Sequence, residues 1–204
     1  MALKEKRDES VQQIMNAATE VFSEMGYSGA RVDEIARRAG INKAMIYYRI
    51  GDKHKLYTEV LHNLFGDIAA QIKKNIPENA DPEEKLRQYI KNLAGTIAEH
   101  PHLPGIMMRE LASGGRNVNE AITKDFVTIL TIPGEILGEG KKRNVFIDAN
   151  PMIVHLIIVG FMMVFRATST IRDQYFASTP GGISVTQGME EIERLILRAL
   201  RVNN

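Results

Sequence analysis

The chain has 204 residues, 44% hydrophobic and 25% charged, the balance of a soluble globular protein of one good-sized domain or two small ones. It has no cysteine, which excludes disulfides, thiolate metal sites and cysteine nucleophiles and is compatible with a reducing cytoplasm. The formal net charge is only +1, so any strongly basic surface has to be local.

The opening stretch MALKEKRDES has no apolar signal core, which points to a cytoplasmic protein. Val11, Ile14, Met15, Ala18, Val21, Phe22 and Met25 then fall on one face of a first helix, with Ser10 and Gln13 as a capping box and Gly26 as its end. Val32, Ile35, Ala36 and Ala39 follow at i, i+3, i+4, i+7, one face of a two-turn helix. Gly40 comes at once, where glycine ends a helix at least cost by taking a left-handed backbone. Asn42 offers an N-cap for another short helix with Ile46 and Ile50 inside. Two short helices joined by a tight glycine turn read as a helix-turn-helix.

The outer positions of that second helix are Asn42, Lys43, Ala44, Met45, Tyr47, Tyr48 and Arg49, a set of donors, cations and hydroxyl-tipped rings that reach phosphates or base edges. Between Arg31 and Leu56 the basic residues, among them Arg37, Arg38 and Lys53, outnumber the acidic ones by four. A local excess on a near-neutral chain is the electrostatic footprint of a DNA face. The plain alternative is a three-helix module with a solvated basic edge.

Beyond Asp52, a periodic run from Leu56 to Ile72 predicts a connector helix over about 53–75. IPENADP breaks the chain, and Asp81, Pro82 and Glu84 open the next helix, which buries Leu86, Tyr89, Ile90, Leu93 and Ile97. Pro101 and Pro104 stop it. A short helix spans Gly105 to Ser113 and ends at Gly114–Gly115. Asn117 with Glu120 caps a further helix, in which Pro133 predicts a kink or break, and Gly138, Gly140 and the basic run 141–143 predict a solvated turn. Asn150 and Pro151 start a helix that is apolar nearly all round from Met152 to Phe165. That run is shorter than the roughly 20 residues a membrane span needs. The reading is therefore a buried helix and no membrane partner. The face with Val159, Met163 or Arg166 is expected to meet a second subunit. After the loop ASTPGGIS, Ser184 and Gln187 open a final helix, and the last two helices are expected to pair with their twofold mates as a four-helix bundle.

Catalytic signatures are absent from the sequence. There is no nucleotide loop, nucleophile elbow or paired-carboxylate arrangement, and the proline between His100 and His102 breaks helical ligand spacing. The reading is no enzyme, no metal and no cofactor. Met107, Met108, Phe126, Phe161, Met162 and Phe165 supply adaptable apolar surface suited to a ligand pocket, with His155, Glu110 and Arg109 able to orient a polar group.

Gly26, Tyr27, Val32, Ile35, Ala36, Ala39, Gly40, Ile46, Tyr47, Lys53 and Leu56, with Ile41 in place of valine, resemble the DNA-binding domain of the TetR family of bacterial transcriptional regulators. Ala30 and Arg31 replace the family's hydroxyl pair, Ala44 its common glycine, Arg49 its histidine or tyrosine and Ile50 its phenylalanine. The resemblance implies an all-α fold with an N-terminal three-helix helix-turn-helix domain, residues 1–55, and a C-terminal helical domain, residues 56–204, for effector binding and dimerisation. It implies a homodimer on a palindromic double-stranded operator, contacted through Arg31, Lys53 and the outer residues 42–49. Release by a small hydrophobic or amphipathic effector would follow from population shift. The competing reading is a helical small-molecule-binding or interaction module without operator binding.

Overall fold

A computed structural model describes residues 2–74, 76–176 and 182–202, with side chains from residue 8 onward; most of the ASTPGGIS loop lies outside the described residues. Among the described residues ten helices run in order: α1 (Ala2–Gly29), α2 (Val32–Ala39), α3 (Lys43–Arg49), α4 (Lys53–Lys73), α5 (Pro82–Glu99), α6 (Leu103–Ala112), α7 (Glu120–Lys142), α8 (Pro151–Ala167), α9 (Ser169–Tyr175) and α10 (Val185–Leu200). The fold is all-α; among the described residues the one extended pairing is an isolated bridge between Phe146 and Arg201. Two compact units emerge, Met1–Gly66 with His102–Thr123 and Asp67–Pro101 with Lys124–Asn204.

The first unit packs α1 against α2 and α6, and α2 against α3. Ile14, Val21, Phe22, Ile35, Ile46, Leu56, Tyr57 and Ile106 form its core, with the Phe22 and Tyr57 rings edge-to-face at 4.7 Å. The chain is already helical from Ala2, so Ser10 does not begin α1. Gly26 does interrupt it: its φ of 67° and ψ of 174° lie outside the helical region, and only the last turn resumes beyond it.

The second unit is built on α5, α8 and α10, which pack on one another. Leu86, Tyr89 and Ile90 of α5, Ile158 and Met162 of α8, and Ile196 and Leu197 of α10 are buried. The caps expected here form. The Asp81 side chain accepts from the Glu84 N–H at 2.9 Å, Asn150 accepts from Met152 and Ile153, and Ser184 and Gln187 make a reciprocal capping box. Three expectations fail. The break expected at Pro133 does not occur, α7 running on through it. The helix also continues past Gly138 and Gly140; Gly140 serves packing instead, since Phe146 lies so close that a Cβ there would be 2.1 Å from its ring. The cap of α7 is Asn119, which accepts from the Ile122 N–H at 3.0 Å, while Asn117 is buried elsewhere.

Candidate nucleic-acid interface and effector pocket

The turn between α2 and α3 forms as its residues demand. Gly40 sits at φ 66°, ψ 28°, and the Ile41 N–H reaches back to the Ala36 carbonyl at 3.1 Å, satisfying a carbonyl that the helix end would orphan. Asn42 caps α3, its side chain accepting from the Ala44 N–H at 2.8 Å. Arg31 gives α2 no side-chain cap; Asp33 and Glu34 in the first turn offset the helix dipole instead. Ile46 is buried, which rolls the rest of α3 outward: Asn42, Ala44, Met45, Tyr47 and Tyr48 are exposed, Tyr48 by 83%.

The cations of this unit are not equivalent. Arg37 and Arg38 both bond Glu34, and Arg38 also forks onto Glu24 at 2.6 and 2.7 Å. These arginines hold the Glu34 carboxyl down at about 2. Lys43 pairs with Asp33 at 2.9 Å, an exposed contact that an incoming phosphate can replace. Arg31 is exposed. Arg49 is half-buried beside the Tyr48 ring. Lys53 lies over the Tyr27 ring, 4.7 Å from its centroid, where burial lowers its pKa.

Residues distant in sequence brace this surface. Arg109 on α6 donates to the Ser23 and Glu24 carbonyls at 3.0 and 2.6 Å, directly before the break at Gly26. His102 meets the Ser23 hydroxyl at 3.1 Å. Glu110 is buried and accepts from the Tyr57 hydroxyl, the Asn117 backbone N–H and the Asn117 amide, at 2.8–3.0 Å. Burial and this carboxylate push the Tyr57 phenol up. Arg109 and Glu110, expected to orient a polar group of a ligand, are both engaged in holding α1, α4 and α6 of the first unit together. Their partners on the other helices, Ser23 and Tyr57, lie 86 and 53 residues away, with no local signal to reveal them.

The expected pocket residues are dispersed. Met107 and Met108 lie on α6 of the first unit, Met108 exposed. The other five belong to the second unit. His155 is buried, its Nδ1 2.5 Å from the Tyr89 hydroxyl and its ring edge-to-face with Phe126 at 5.7 Å. Burial lowers its pKa to about 4, so the imidazole is neutral. Phe161 stacks on Phe165 at 5.0 Å. Met162 and Phe165 line a cavity of about 210 Å³ with Ala94, Ile97, Arg166 and Met189, among others, from α5, α8 and α10.

The expected dimer face needs a correction. Met163 is 8% exposed and packs inside the protomer, and Val159 and Arg166 are half-buried. The side of α8 that faces solvent carries Met152, Ile153, Leu156, Ile157, Gly160 and Val164. No single described helix is long and apolar enough to cross a membrane; α8 and α9 reach that composition only together, bent by 58°.

Residues 14–60 match the family model described as bacterial regulatory proteins, tetR family. The chain is 28% identical over 149 residues to the HTH-type transcriptional repressor NicS of Pseudomonas putida, covering 71% of this chain and 69% of that protein. It is 23% identical over 203 residues to the HTH-type transcriptional regulator RutR of Escherichia coli K12, covering 92% and 89%. The crystal structure of the transcriptional regulator FadR from Bacillus subtilis in complex with stearoyl-CoA shares the fold with a TM-score of 0.71 at 23% identity, covering 93% of this chain and 98% of that one.

Proposed function

We propose, from the premise that this chain belongs to the TetR family of bacterial transcriptional regulators, that it is a cytoplasmic repressor which grips a palindromic operator as a homodimer and releases it on binding a small hydrophobic or amphipathic effector. Membership makes it a DNA-binding transcriptional regulator, and the relatives named above are regulators rather than enzymes. One observation carries the reading furthest: α3 leaves Asn42, Lys43, Ala44, Met45, Tyr47 and Tyr48 outward on a helix whose inner side is anchored by Ile46.

Residues 1–55 take the DNA-binding role. Asn42 and Met45, near the N-terminus of α3, meet base edges in the major groove, while Arg31, Lys43, Arg49 and Lys53 neutralise phosphates. The tyrosine hydroxyls add contacts to phosphate or base. Residues 56–204 bind the effector and dimerise, with α4 as connector. The supporting relative is FadR, whose structure holds an acyl-CoA ligand.

Dimerisation runs through α8 and α10. The outward strip Ile153, Leu156, Ile157, Gly160 and Val164, with Leu195 exposed on α10, is an uncharged run of exposed aliphatic side chains of the kind that supports an interface. Burying it against its twofold copy makes a four-helix bundle and brings two α3 helices to one operator. An effector that favours a different spacing then releases the operator.

Selection of bound duplexes from a random DNA pool by the pure protein tests this. Enriched inverted repeats with half-sites about 10 bp apart, or a multiple of that, are expected. A pool left unenriched would favour the alternative, a helical carrier or interaction module that does not read DNA.

A further inference from the structure

We infer that the cavity between α5, α8 and α10 binds an amphipathic monocarboxylate, its anion on Arg166 and its hydrocarbon body among the apolar walls. The inference rests on the effector-responsive reading above and names the chemical class. Ile97, Met162, Phe165 and Met189 furnish the interior, Met162 being 2% exposed. Arg166 is the one charged side chain in the lining, and no carboxylate faces it there.

Arg166 is half-buried, and none of the hydrogen bonds or ion pairs among the described residues uses its side chain. Other arginines of this unit are engaged: Arg87 with Glu193, Arg201 with Glu83, and Arg172 on the Phe165 ring and carbonyl. A planar cation left without a partner beside an apolar hollow suits a carboxylate, which it can grip with two parallel N–H bonds. A single cation matches a single negative charge.

The wall is held open. Phe165 is stacked by Phe161 on α8 and covered by the Arg172 guanidinium 3.5 Å from its centroid. Gly188 on α10 approaches so near that a Cβ would lie 2.7 Å from the Phe165 Cζ. A ring fixed from three sides cannot swing in to fill the space, so little ordering is left for a ligand to impose. The volume of about 210 Å³ sets the size. A cavity of about 150 Å³ accepts benzene, so this one has room for roughly eight carbons. Occupancy would wedge α5 against α8 and α10, the helices that carry the proposed dimer face.

Straight-chain carboxylates from butanoate to dodecanoate, titrated calorimetrically below their micellar concentrations, give the test. Affinity should rise about fourfold per methylene up to about octanoate and then level off as the cavity fills. Arg166→Gln should weaken octanoate by about tenfold or more while leaving octan-1-ol unchanged. Ala94→Phe, which fills the interior, should abolish both. A series that keeps climbing to dodecanoate, an Arg166→Gln protein that holds octanoate as well as the wild type, or no binding at all overturns the site. The wild-type series alone decides if a variant fails to fold. Operator release is read separately. Octanoate that binds with this signature yet leaves DNA bound supports the site and counts against the release mechanism; absence of binding overturns the site and leaves the DNA selection result untouched.

Discussion

Helices α3 and α8 both leave hydrophobic side chains in water, and their neighbours tell the two surfaces apart. On α3 the exposed Met45, Tyr47 and Tyr48 are interspersed with Asn42, Lys43 and Arg49. On α8 the exposed Ile153, Leu156, Ile157 and Val164 sit in a run without a charge between Pro151 and Phe165. The first pattern suits a wet, polyanionic partner, the second a dry one that is itself aliphatic. A large exposed hydrophobe is therefore informative only together with what lies beside it.

The strongest way to break this comparison is to charge α8 on each of its sides. Ile157→Glu places a carboxylate on the face we assign to the partner subunit. A folded monomer is expected by sedimentation, with operator affinity lower by orders of magnitude, since two linked half-site contacts become one. Met163→Glu instead buries an unpaired charge inside the protomer and should cost about 3–5 kcal/mol of stability, read as a collapsed melting temperature. Similar outcomes for the two variants would erase the distinction between the faces.

On the buried side of the same helix, His155 gives a pH signature. Its folded pKa of about 4 lies below the ordinary value of 6.5, so the unfolded chain takes up the proton first. The stability this contributes is complete above about pH 6.5 and is lost as pH falls toward 4, approaching about 3 kcal/mol. Denaturant melts of wild type and His155→Leu across this range should diverge in slope, the variant being flatter.

A smaller effect isolates the turn before α3. At Gly40 a Cβ would meet nothing within 4 Å, so Gly40→Ala carries only the left-handed backbone penalty, about 1 kcal/mol. Gly140→Ala drives a methyl into Phe146 and should cost more, about 1–3 kcal/mol. Equilibrium melts that rank them the other way would contradict these two causes.

The smallest effect sorts the cations. Lys53→Ala should make the salt dependence of DNA binding shallower by about one unit. Arg38→Ala should leave the slope unchanged, because Glu24 and Glu34 already occupy that guanidinium. An unchanged slope for Lys53→Ala would remove it from the interface.

The head was legible because its determinants are local. Gly40, Asn42 and the spacing of Val32, Ile35, Ala36 and Ala39 act within two turns of helix, and the structure has the Gly40 turn, the Asn42 cap and Val32, Ile35 and Ala36 buried, with Ala39 half-buried. Helix α8 shows the opposite case. With apolar residues on every side, its sequence carries no phase, and only tertiary packing decides that Met163 turns inward while Ile157 does not. The roles of Asn117 and Arg109 were hidden for a related reason, since each is fixed by a partner from another element or by the buried Glu110. Softness alone does not mark a pocket, because methionine and phenylalanine serve cores and pockets alike: Met107 and Met108 lie in the first unit, Phe126, Phe161, Met162 and Phe165 in the second.

The stoichiometry and affinity of the protein on its selected operator, compared with an isolated half-site, test the central claim most directly. The account predicts two chains on the full site, bound cooperatively and orders of magnitude more tightly than the half-site. One chain per site with equal affinity for both DNAs would contradict it.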